Sequence, residues 1–166
     1  PAETYDQAFL RAYFDLVPPL LQAYAPDVVV AELGMDILAG DPLTHLMMTN
    51  NVVFEVAEHL LSLGRPLLIT GGGGYHVEHT VRGWALAWRT FAGEGDADVY
   101  SLGLGGVMLG SSEWAGGLRD HQLPVTADQR RRVDAALDAT RRAVRQNIFK
   151  YHGLETQPAE RQGPGC

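Results

Sequence analysis

Two stretches of this sequence carry residues able to do chemistry. Asp36 lies in Leu33-Gly34-Met35-Asp36-Ile37-Leu38-Ala39-Gly40-Asp41-Pro42-Leu43, and Tyr75 closes Leu67-Leu68-Ile69-Thr70-Gly71-Gly72-Gly73-Gly74-Tyr75. A carboxylate in a loop after an apolar run is either a hard oxygen ligand for a divalent metal or a cap for a turn or the next helix. Asp41, before Pro42, reads as a turn residue. Tyrosine hydroxyls titrate at about 10, so at neutral pH one at a reaction centre donates a hydrogen bond to developing negative charge. The alternative for Tyr75 is a ring packed under the loop with its hydroxyl at the surface. A run of glycines has a high ordering entropy and is found where the backbone takes unusual dihedrals or lies close against something. At a helix start such a run also suits a phosphate, but neither the dinucleotide fingerprint nor the P-loop spacing occurs here. His76 and His79 have a permissible ligand spacing at a helix start and are read as incidental. His45, His59, His121 and His152 have no partner pattern, and Ser111-Ser112 lacks the nucleophile-elbow context.

The elements that must position Asp36 and Tyr75 read clearly. Residues 27–33 are β-branched and apolar with little alternation, the pattern of a strand covered on both faces in a parallel sheet. A helix over 51–63, capped by Thr49 or Asn50, leads to a second strand over 66–70. Strand, helix, strand is a βαβ unit, so the strands are parallel and their carboxyl ends share one rim. That is where open α/β sheets bind ligands. Asp36 sits just past one end and Tyr75 just past the other, so the two can meet at one site.

The remaining elements frame this unit. A helix pattern over 3–24 is interrupted by Pro18-Pro19, which predicts a kink or two abutting helices. A third helix over 77–92 puts Val77, Val81, Trp84, Ala85, Trp88 and Phe91 on one face, with both tryptophans in the core. Residues 93–124 are glycine-rich and irregular. A charged helix over 126–149 sets Val133, Leu137, Thr140, Val144 and Ile148 against a solvated arginine face paired with Asp128, Asp134 and Asp138. The polar residues 155–166 read as a disordered tail, and 1–154 as one domain or part of one.

Bulk properties exclude several classes. The 166 residues are 46% hydrophobic, enough for a core. The formal charge of −7 argues against nucleic acid as a direct partner. No apolar run reaches the length of a membrane span. The one cysteine, Cys166, excludes a disulfide framework or thiolate cluster and suits a reducing cytoplasm.

The two loops together, with Leu46, Thr49 and Arg82-Gly83-Trp84, resemble the C-terminal half of the histone deacetylase family, most nearly its bacterial acetoin-utilisation type. The similarity covers most of residues 3–93. Leu118-Arg119-Asp120-His121 and the helix at 126–149 resemble the bacterial members more weakly. The resemblance implies an α/β fold of the arginase/deacetylase kind, a parallel sheet flanked by helices. It also implies a catalytic zinc, occasionally iron, with Asp36 as one of its protein ligands. Tyr75 would polarise the acetyl carbonyl and stabilise the oxyanion. Gly72, Gly73 and Gly74 would line the acyl-lysine tunnel, and Leu43 its wall. Pro42 stands where eukaryotic class I members carry a basic residue, and Ile37 and Val52 also depart from commoner choices. The activity implied is hydrolysis of an N-acetyl amide, on an acetylated protein or small amine, to acetate and free amine.

The family's Asp-x-His and His-His pairs, which supply its other metal ligands and its general base and acid, have no counterpart in the 166 residues. The expectation is a C-terminal portion of a deacetylase, inactive and poorly packed without the preceding portion of the same domain. Two alternatives stand beside it. One is a non-catalytic deacetylase-like protein. The other is a phosphate- or nucleotide-binding module using Gly71–Gly74.

Overall fold

The computed structural model describes residues 1–94 and 118–154. The expectations for residues 95–117 and for the tail from 155 lie outside the described residues. In chain order the elements are α1 (Asp6–Tyr24), β1 (Val29–Leu33), α2 (Asn50–Ser62), β2 (Leu67–Gly71), α3 (Val77–Phe91), α4 (Ala127–Asn147) and a 3-10 turn, Phe149–His152. Among the described residues no helix is long and apolar enough to cross a membrane.

β1 and β2 form a two-stranded parallel sheet, with Val29 opposite Leu67 and Leu33 opposite Gly71. α2 connects them, as the pattern requires. Thr49 caps it by accepting the Asn51 backbone N–H, and Gly64 follows its end at φ 61°. That left-handed value suits glycine, which has no Cβ to clash.

The main core lies directly under the first loop. Met35, Leu38, Val53 and Ala87 are buried together, with Leu33, Ile37, Trp84 and Phe91 packed against them. Asp36 is therefore flanked by buried anchors. Met35 and Leu38 drive into the core from either side, and Leu38 also bridges Met48 on the returning chain. A second cluster of Tyr5, Ala8 and Val133, with Val125 and Leu137, joins α1 to α4.

Two expectations are corrected. α1 is one continuous helix through Pro18-Pro19, which removes the alternative of two abutting helices. Proline removes a helical hydrogen bond and crowds the preceding turn, but α4 holds the segment before the prolines. Asp15 pairs with Arg141 and Arg145, and Arg11 with Asp134. α3 buries a face that overlaps the one read only in part, with Trp84 and Phe91 packed against the core as expected. Arg82, Gly83, Leu86, Ala87 and Thr90 point inward, while Val77, Val81 and Trp88 are exposed, Trp88 at 78%. The inward face is built from small residues and a paired arginine, which apolar periodicity does not register. Within this chain the strands are covered on one face only, the open apolar face expected of a portion without its preceding part. Val30 and Leu68 are exposed, and burial alternates along both strands. The solvated arginine face of α4 is borne out in part. Arg131 and Arg132 pair with Asp128 and Arg141 with Asp138, but Asp15 in α1 and Glu3 ahead of it are further partners.

Candidate active site

The parallel pairing of β1 and β2 sets both loops on the same rim of the sheet. Leu33 accepts the Gly72 backbone N–H at 3.1 Å, and Met35 N–H donates to Gly73 O at 2.7 Å. The ladder thus continues past the strand ends and zips the loops together. Their closeness explains the glycines. A Cβ on Gly73 would lie 2.3 Å from Asp36 Oδ2, and one on Gly72 would lie 2.9 Å from Gly34 Cα. Gly74 has φ +143°, where side chains are strained, and a Cβ there would strike Thr80 and Met35.

The Asp36 carboxylate consequently rests over the Gly34 and Gly73 backbones, and its own carbonyl accepts from Thr44 Oγ1 at 2.5 Å. Tyr75 follows the glycines with 53% of its surface exposed, and Leu43 is exposed at the far end of the first loop. Asp36 and Tyr75 are brought to one rim, as the βαβ pattern requires.

Asp41 does more than make a turn. It is buried, and its carboxylate accepts the Leu43 N–H at 2.9 Å and the Tyr75 N–H at 2.8 Å. Burial pushes its carboxyl up. Backbone hydrogen bonds from Leu43, Tyr75, Thr44 and His76 outweigh burial and hold it below the usual carboxylate range.

Both histidines are used locally. His76 Nδ1 accepts the His79 N–H at 3.4 Å as the α3 cap, and the rings stack with centroids 3.8 Å apart. His79 Nδ1 lies 2.8 Å from Ala39 O. A carbonyl only accepts, so Nδ1 carries the proton. This clamps α3 to the first loop.

A part-buried ion pair behind the loops was missed by sequence reasoning. Arg82 Nη2 pairs with Asp120 Oδ1. Asp120 Oδ2 accepts the Asn50 N–H at 3.0 Å, and Asn50 Oδ1 accepts the Asp120 N–H at 2.9 Å. The arginine of Arg82-Gly83-Trp84 thus ties α3 to the start of α2. A lone arginine on a helix gives no sign of a partner so far along the chain. A cleft beside this knot, walled by Asp6, Asn51, Glu55 and His121, has neither Asp36 nor Tyr75 on its wall.

Asp36 offers one carboxylate, while among the described residues no group of three or more His, Cys, Asp or Glu is placed to hold an ion. A catalytic zinc uses three protein ligands and an open position. The residues present fit one ligand position and not a complete site. The phosphate-cradle reading also weakens, because the Tyr75 amide just before α3 is already given to the Asp41 carboxylate.

A family model described as "histone deacetylase domain" matches residues 1–91. The chain belongs to the histone deacetylase family. It is 32% identical over 102 residues to the acetoin utilization protein AcuC of Staphylococcus xylosus, covering 57% of this chain and 26% of that protein. The corresponding protein of Bacillus subtilis is 36% identical over 98 residues, with 55% and 25% covered. Histone deacetylase 8 of Xenopus tropicalis is 33% identical over 88 residues, with 53% and 24% covered. Among solved structures, the crystal structure of the HDA15 HD domain superposes with a TM-score of 0.54 at 25% identity, covering 57% of this chain and 27% of that chain. The α/β architecture is therefore that of part of a deacetylase fold. The chain spans about a quarter of the length of the curated relatives it matches.

Proposed function

We propose that this chain supplies one side of the active site of a metal-dependent deacetylase that hydrolyses an N-acetyl amide to acetate and free amine. The observation that carries the reading is the shared rim. The Asp36 carboxylate lies against Gly73 in the loop that delivers Tyr75. Both loops belong to the stretch that matches the family.

In this reading Asp36 holds one coordination position of a zinc, or in some members an iron. The remaining ligands and the general base come from outside the described residues. When bound, the metal polarises the amide carbonyl and lowers the pKa of water. Tyr75 donates its hydroxyl hydrogen bond to the carbonyl oxygen, and that bond strengthens as negative charge develops. Gly72, Gly73 and Gly74 give the substrate stem room to pass close to the backbone, and Leu43 stands at the passage wall. The substrate is an acetyl-lysine side chain or an acetylated small amine. The exposed apolar surfaces, Val30 with Leu68 on the sheet and Val77, Val81 and Trp88 on α3, are where the rest of a deacetylase domain packs.

The test is acetate release by the full-length protein from an acetyl-lysine peptide and from an acetylated polyamine. Turnover should disappear on chelation and return with zinc, and residues 1–166 alone should show none. Turnover that persists unchanged in chelator would refute the metal-dependent reading. Absence of turnover with metal bound would favour a non-catalytic relative.

A further inference from the structure

Tyr75 is poorly held by its own side chain, since the residue is 53% exposed. It follows four glycines, which allow more backbone conformations than any other run. Something must nevertheless fix the tyrosine if its hydroxyl is to meet a reacting oxygen. The fixation is at its backbone. Tyr75 N–H donates to Asp41 Oδ2 at 2.8 Å, and the other oxygen of the same carboxylate takes Leu43 N–H at 2.9 Å. Asp41 is 8% exposed, so water competes little for these bonds. The loop bearing Asp41 is itself anchored, through Leu38 in the core and through Ala39 O on His79.

We infer that Asp41 is a positioning residue for the deacetylation, a buried carboxylate latch that fixes Tyr75 relative to Asp36 by holding the tyrosine's backbone amide. The inference rests on the proposed role of Tyr75 as hydrogen-bond donor to the reacting carbonyl. The latch explains why a charge is kept in a buried turn. A neutral turn residue could serve Leu43 alone, whereas a carboxylate has acceptor capacity for amides from both loops. It also makes the two loops one unit, so a displacement of the first loop is transmitted to the tyrosine.

The experiment uses the full-length protein with Asp41→Ala, Asp41→Asn, Tyr75→Phe and the Asp41→Ala/Tyr75→Phe pair. Two readouts are taken, amide hydrogen exchange at Tyr75 and steady-state kinetics with metal content. Asp41→Ala should speed exchange at the Tyr75 amide about tenfold or more. It should lower kcat by about 10- to 100-fold, the scale of a misplacement near 1 Å, with KM and metal content little changed. In the Tyr75→Phe background the same substitution should cost less than about threefold, because the group it positions is gone. Asp41→Asn keeps one carbonyl oxygen and should show the same pattern at smaller amplitude. It serves if the alanine protein does not fold. Unchanged exchange in these variants, or a loss that multiplies fully with that of Tyr75→Phe, overturns the latch. Normal turnover in Tyr75→Phe itself overturns the proposed role of Tyr75 and the positioning role with it, whatever the exchange result.

Discussion

Asp41 Oδ2 and the Tyr75 backbone nitrogen are 2.8 Å apart, and this contact joins the loop that bears Asp36 to the loop that bears Tyr75. With Met35 N–H on Gly73 O and His79 on Ala39 O, it makes the rim a tied structure rather than two loose connections.

One consequence concerns Gly73. Its missing side chain is the space occupied by the Asp36 carboxylate, which a Cβ would approach to 2.3 Å. Gly73→Ala should push the carboxylate aside, with an overpacking penalty of about 1–3 kcal/mol. In the full-length protein the expected result is reduced metal content as well as reduced turnover. Full metal content with only KM raised would place Gly73 in substrate passage alone.

α3 offers a second check. Leu86 is buried, so Leu86→Ala should destabilise the protein by roughly 2–5 kcal/mol. Trp88→Ala on residues 1–166 should change stability by about 0.5 kcal/mol or less, the usual scale for exposed positions. Urea unfolding midpoints decide it. A large loss at Trp88 in the isolated chain would mean that the outward face is packed after all.

Much of this organisation was legible in the sequence. The β1–α2–β2 unit follows from short apolar runs, a capped helix and terminal glycines, and parallel pairing then places Asp36 and Tyr75 on one rim. What stayed hidden was long-range or made of the wrong residue types for pattern reading. The inner face of α3 uses Gly83, Ala87 and the Arg82–Asp120 pair, so hydrophobic periodicity chose Val77, Val81 and Trp88 instead. The strand composition suits burial on both faces, and the open face seen here is the one expected when neighbouring elements lie outside this chain. Asp41 read as a turn residue because its Leu43 bond is local. Its Tyr75 bond spans 34 positions, and no local signal carries it.

The α1–α4 junction should be acid-labile. Burial raises the Asp15 carboxyl, but hydrogen bonds and charge from Arg145 and Arg141 outweigh it and hold it below its ordinary value. An unfolded aspartate titrates at about 3.9. The stabilisation is therefore complete above that pH and is lost as pH falls through the lower folded value. Asp41, also lowered, acts in the same direction. Asp15→Asn should cost roughly 1–3 kcal/mol at neutral pH, and stability should fall less steeply below about pH 4 than in the parent. An unchanged acid profile would show that the cluster contributes nothing to the junction.

The most direct measurement is metal content and turnover of Asp36→Asn and Tyr75→Phe, compared in the full-length protein. Asp36→Asn replaces a charged ligand and should lose most of the bound metal and the activity together. Tyr75→Phe should retain its metal and lower kcat by about 10²–10³, the loss typical of one oxyanion donor. Equal metal loss in both variants, or full turnover in either, would contradict the assignment of ligand to Asp36 and hydrogen-bond donor to Tyr75.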